Sequence, residues 1–176
     1  MLGQVVEFWF SDEVEPFWFR KDEEFDELIK EKFLSLYQIR KNANCVASNL
    51  YDNLALIILF DQFPRNMFRN SPQSFETDYK AIEIAKYVLG SGLDKKLDKK
   101  KCRFLYMPFM HSEDIEEQNY SVELYRNLGD KAVLEFAIRH QEIIAEFGRF
   151  PHRNHILGRT STKGEERFLK EPGSSF

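Results

Sequence analysis

Cysteine is almost missing from this chain of 176 residues: Cys45 and Cys102 stand far apart, with no C-x-x-C spacing. That excludes a disulfide framework and a zinc-ribbon ligand set, and the simplest expectation is two reduced, buried thiols. A secretory leader is missing too. The opening "MLGQVVEFWFSDE" has no basic n-region and turns acidic within a few residues. The longest apolar run, 54–60, is far short of the roughly 20 residues a membrane span needs. Charge of one sign is not in excess: the net charge is −4, and the lysines and arginines are scattered among acids. The electropositive footprint of a nucleic-acid binder is therefore absent. No G-x-S-x-G, P-loop or Rossmann fingerprint is present, so no cofactor is implied. The expectation is a cytoplasmic protein with neither membrane nor nucleic acid as partner.

What the chain does hold is apolar and aromatic residues, including 17 phenylalanines, enough for one folded domain over 1–176. Nearly every periodic segment has a helical period and none alternates like a strand, so the fold class is all-α, an antiparallel helical array. Asp22 is placed to cap a helix with Phe25, Leu28, Ile29, Phe33 and Leu36 on one stripe. "LALIILF", 54–60, is apolar on every side and should be the central, buried helix, ended by Pro64. Ser71-Pro72 reads as a helix start, with Phe75, Tyr79, Ile82, Ala85 and Leu89 facing inward and Gly90 to Gly92 stopping it. "LDKKLDKKK" reads as a solvated edge, and "RFLYMPF" as a short piece broken at Pro108. Ser112 is expected to cap the next helix, and Gly129-Asp130 to separate it from a long one. That long helix carries Val133, Ala137, His140, Ile144 and Phe147 on one stripe and ends at Gly148. Thr162 and Glu165 match a capping box. "EFWF" and "PFWF" read as core aromatics.

Two greasy segments end alike, in "DQFPRN" and "GRFPHRN". Counting helix reversals puts these two loops and "PFMHSED" at one end of the array, so they are expected to share a rim. Asp61 follows Leu54 and Ile57 on a helical stripe and should point inward. Near a helix C-terminus a carboxylate needs a cation, and Arg65, Arg149 and Arg153 are the candidates. A buried Asp–Arg clamp is the purely structural alternative. The expected ligand-binding set is Asp61, Arg65, Asn66, His111, Glu113, Arg149, His152, Arg153 and Asn154. Cations around an inward carboxylate suit a small anionic or zwitterionic molecule, or a peptide carboxylate. His111 beside Glu113 or Asp114 is a candidate general base. His152 and His155, spaced H-x-x-H, match no zinc signature, so no metal is expected. His140 lies on an apolar stripe and reads as a satisfied core histidine. Gln118 shares a stripe with Ile115 and Val122 and is placed to hydrogen-bond the rim from below.

From "VVEFWF" through "LALIILFDQFPRN", "FLYMPFMHSED" and "EFGRFPHRNHILGRTSTKGEERFL" to Phe176, the chain resembles DUF924, a bacterial-type family of unknown function. The resemblance implies a tetratricopeptide-like helical fold and carries no reaction. Met110 stands where the family usually has Glu, and Gln141 where it usually has Arg; the stretch 42–53 lacks a tryptophan often found there. Met110 implies a greasier, less acidic rim if that position only lines it, and an impaired enzyme if that Glu is catalytic. Three functions compete: a binding module for the ligands above, a hydrolase or transferase using His111 or His152 with Asp61, and a helical scaffold for protein partners. No repeat of tetratricopeptide period is visible, and no nucleophile–base pair stands out, which favours binding.

Overall fold

The computed structural model describes residues 1–43 and 46–175. Cys45 and Phe176 lie outside the described residues. The described chain is helical throughout, with no strand, and no helix among the described residues is long and apolar enough to cross a membrane. It divides into two compact units, Met1–Arg69 with Gln73–Pro108, and Asn70–Pro72 with Phe109–Phe176.

The first unit holds α1 (Leu2–Trp9), α2 (Glu23–Lys41), α3 (Leu50–Ile57), α4 (Phe63–Met67), α5 (Asp78–Gly90) and α6 (Lys99–Met110) up to Pro108. Asp22 caps α2 by accepting from the Phe25 N–H. Its buried stripe is Phe25, Ile29, Phe33, Leu36 and Tyr37, while Leu28 is exposed, contrary to expectation. Leu54 to Phe60 are all fully buried, as expected of a segment apolar on every side. Trp9 and Trp18 are core residues: the Trp18 Nε1–H donates to the Trp9 carbonyl at 2.8 Å, and Trp18 meets Phe104 edge-on at 4.6 Å. Phe19, in the same aromatic cluster, is 73% exposed.

Pro64 does not end the central helix. The backbone widens into a π segment, Ile58–Gln62, and continues helically as α4. Proline has no N–H to offer the carbonyl four residues back, which here is that of Phe60. Thr77 supplies the missing donor: its hydroxyl reaches the Phe60 oxygen at 2.7 Å. The tertiary contact offsets the local defect. Pro108 likewise lies inside α6, in its last turn, where it forfeits one helical bond near an end that loses its bonds anyway. Pro72 opens a 3₁₀ turn to Phe75, and α5 begins only at Asp78. Its inner face is Ala81, Ile84, Ala85 and Val88, so Tyr79 is exposed and Phe75, Ile82 and Leu89 are only half-buried. The face expected from apolar residues alone was rotated because the small residues Ala81 and Ala85 take the close contact. Cys102 is buried as a free thiol.

The second unit is built on α7 (Ile115–Leu128) and α8 (Lys131–Phe147), followed by a 3₁₀ turn Pro151–Arg153 and α9 (Lys163–Phe168). Asp114, not Ser112, caps α7, accepting from the Glu116 and Glu117 N–H groups. Ser112 instead accepts from the Asp114 N–H. Gly129 ends α7 in the left-handed region and Asp130 caps α8. The buried face of α8 is Ala137, His140, Ile143 and Ile144, with Val133 and Phe147 half-buried. Gly148, at φ 68°, stops α8 where a residue with Cβ would be strained. Phe150 and Phe168 close this core.

Candidate functional site

In the first unit, Asp61 sits inside the π segment and is fully buried. The expected cation is Arg65: its Nη1 lies 3.3 Å from Asp61 Oδ1 and it also donates to the Asp61 carbonyl. The same guanidinium forks onto Asp78 at 2.8 and 2.9 Å. Burial works to lower the Arg65 pKa, but Asp78 and Asp61 together raise it, so the cation is locked. Gln62 donates to Asp61 Oδ2 at 2.5 Å. Asn66 turns to Asp26, which also holds Arg69 at 2.6 Å. Asp61, Arg65 and Asn66 are thus members of a clamp joining α2, α4 and α5. Asp78, Asp26 and Arg69 were not legible as its members, because the pairings run 13 to 43 residues along the sequence.

In the second unit, the loop after α8 is held by two forked ion pairs. Arg149 donates from Nε and Nη2 to Glu165 at 2.6 and 2.9 Å. Glu165 also completes the α9 capping box, accepting from the Thr162 N–H at 2.6 Å. The Arg149 guanidinium pulls the Glu165 carboxyl down to about 2. Glu113 is held by Arg159 at 2.6 and 2.9 Å and by the Phe150 N–H at 2.8 Å. Burial alone would raise the Glu113 pKa; Arg159 and the Phe150 N–H outweigh it and lower it. Arg159 was missed because nothing in "ILGRTST" marks it as a partner. Asn154 is buried and donates to Ser161 Oγ at 3.0 Å.

Between these pairs lies a cluster of basic groups around the buried Phe150 ring. The Arg153 guanidinium lies over that ring at 4.6 Å and donates from Nη2 to the His111 carbonyl at 3.0 Å. His152 and His140 each lie 5.6 Å from Phe150, and His111 lies 6.4 Å from His140, centroid to centroid. His140 is the core histidine expected: 4% exposed, with Nδ1 2.7 Å from the Phe136 carbonyl. Burial first, then the cationic neighbours His111, Arg153 and His152, hold its pKa down at about 3. Arg153 is buried, whereas His111 and His152 are half-exposed and His155 is exposed. Gln118 donates from Nε2 to the Met110 and Ser112 carbonyls, both at 2.7 Å, from beneath the rim as expected. Met110 is itself buried, and Gln141 donates to Asn119 at 2.6 Å. Among the described residues no three His, Cys, Asp or Glu side chains gather to hold a metal.

The fold and these two clusters define an all-α protein with buried arginine–carboxylate forks and a histidine-rich rim on its second unit. The chain belongs to the family described as bacterial protein of unknown function (DUF924), whose family model matches residues 5–173. It is similar to a solved protein of unknown function from Agrobacterium tumefaciens, at 34% identity over 96% of each chain with a TM-score of 0.87. A comparison with curated proteins found no match.

Proposed function

We propose that the second unit is a binding module for a small anionic or zwitterionic molecule, or for a peptide carboxylate, held at His111, His152 and Arg153. The observation that carries this reading is the gathering of three imidazoles and a guanidinium about Phe150, beside carboxylates that are themselves forked to Arg149 and Arg159. A fixed guanidinium and half-exposed imidazoles favour a carboxylate or phosphate oxygen. The ion pair from Glu113 to Arg159 weighs against a His111–Glu113 dyad, so binding stands ahead of hydrolysis or transfer. Arg65 serves a structural clamp in this reading.

The test is a thermal-shift titration with inorganic phosphate, acetate, succinate and an acetylated dipeptide. A ligand at about 100 times its Kd raises stability by about 2.7 kcal/mol. At least one probe should raise the melting temperature in a saturable way. The double change Arg153→Lys with His152→Asn should abolish that rise, and Lys99→Ala should leave it intact. Equal rises in all three proteins, or none with any probe, would defeat the reading.

A further inference from the structure

The imidazoles of the second unit are chemically unequal. His140 places Nδ1 2.7 Å from the Phe136 carbonyl oxygen. A carbonyl can only accept, so Nδ1 carries the proton. A ring 4% exposed does not take up a second proton readily, which leaves Nε2 a lone-pair acceptor. The groups facing this ring are His111 from the α6–α7 loop and His152 and Arg153 from the loop after α8. The carboxylate of this region, Glu113, is bound to Arg159.

Gln118, on the helix packed against α8, is fully buried. Its Nε2 bonds the carbonyls on either side of His111, those of Met110 and Ser112. Its Oε1 is buried and receives no donor from the protein, although a buried amide oxygen left without one costs about 1–3 kcal/mol. The Gln141–Asn119 bond sets the register of α8 against α7 and brings Gln118 and His140 within one turn of each other. The His111 and His140 centroids are 6.4 Å apart, so their nearest ring nitrogens are no closer than roughly 4 Å. That exceeds a direct hydrogen bond of about 3 Å and falls within the span of one bridging water.

We propose that one buried water joins His140 Nε2, Gln118 Oε1 and the His111 ring, making His140 a positioning residue for the His111 imidazole. The water donates to Nε2 and to Oε1 and accepts the N–H of His111, about the three bonds a buried water usually makes. The orphaned amide oxygen gains its donor. His111 is then turned with its second nitrogen outward, and protonating that nitrogen gives the rim a fixed N–H donor. The ligand significance of this orientation rests on the binding reading above; the relay itself does not.

Nitrogen-15 imidazole NMR on the full chain tests it. His140 should show the Nδ1–H tautomer and stay neutral from pH 5 to 8. His140→Leu should move the His111 titration midpoint by about half a unit or more, and His140→Gln, which keeps an acceptor, should restore most of it. An Nε2–H tautomer for His140 overturns the proposal without any variant. So does an unmoved His111 midpoint in a folded His140→Leu protein. A wild-type protein with the expected tautomer that binds neither phosphate nor the carboxylate probes would defeat the binding reading and leave the relay standing.

Discussion

The two units carry nearly the same tetrad, Phe-Pro-Arg-Asn at 63–66 and Phe-Pro-His-Arg-Asn at 150–154, and use it in opposite ways. In the first, helix continues through the proline, because the π segment and the Thr77 hydroxyl absorb its missing N–H. Its arginine is then held within reach of two carboxylates, Asp61 and Asp78. In the second, Gly148 stops the helix first, and Pro151 opens a separate 3₁₀ turn. Its arginine stacks on Phe150 and donates to a carbonyl, among imidazoles. The same side chains serve as a clamp where helix continues and as a rim where it stops. One glycine makes much of that difference.

The sharpest way to break this comparison is to truncate both arginines. Arg65→Ala leaves the fully buried Asp61 without its cation, and stripping one member from a buried pair costs roughly 3–5 kcal/mol. Arg153→Ala removes a carbonyl bond and a ring contact and should cost about 1–3 kcal/mol. Urea unfolding of the two variants measures the contrast. If Arg153→Ala proved the costlier change, the rim would be a clamp like the first.

Acid should act chiefly on the second unit. His140 has a folded pKa of about 3 against an ordinary 6.5, so between these values the unfolded chain binds the extra proton. Stability is then fully present above pH 6.5 and falls as pH drops toward 3. Glu165, held at about 2 against an ordinary 4.5, adds a second loss that begins only below about pH 4.5. His140→Gln should therefore flatten the melting temperature between pH 6.5 and 4.5 while keeping the fall below it. A slope between pH 6.5 and 4.5 identical in wild type and variant would show that His140 is not the group responsible.

How far these contrasts were legible depends on the range of the interaction. Asp61 and the "LALIILF" segment were readable, because a helical stripe three or four residues apart decides burial locally. Thr162 and Glu165 were readable as a capping box for the same reason. The π segment was not, since it exists only because Thr77 lies 17 residues beyond Phe60. The forks Arg65–Asp78 and Arg159–Glu113 were likewise hidden, because no spacing rule links charges whose approach is set by packing. Pro64 and Pro108 misled in the same direction: proline breaks a helix only when nothing nearby makes good the lost donor.

The smallest effect concerns a residue that local reasoning assigned wrongly. Ser112 was expected to cap α7, and Asp114 does so. Both lie in the loop entering that helix, and both are good capping types. The decision falls to Asp114 because its carboxylate reaches two N–H groups, at 2.8 and 3.2 Å, and its charge suits the positive end of the helix dipole. Asp114→Ala should cost about 1 kcal/mol. Ser112→Ala loses one exposed bond to the Asp114 N–H and should stay within about 0.5 kcal/mol of wild type. Because the Ser112 carbonyl also receives Gln118, a larger loss would mean that the serine side chain helps to hold the His111 loop. Parallel urea titrations of the two variants decide between a cap that is one residue deep and a loop in which both residues act together.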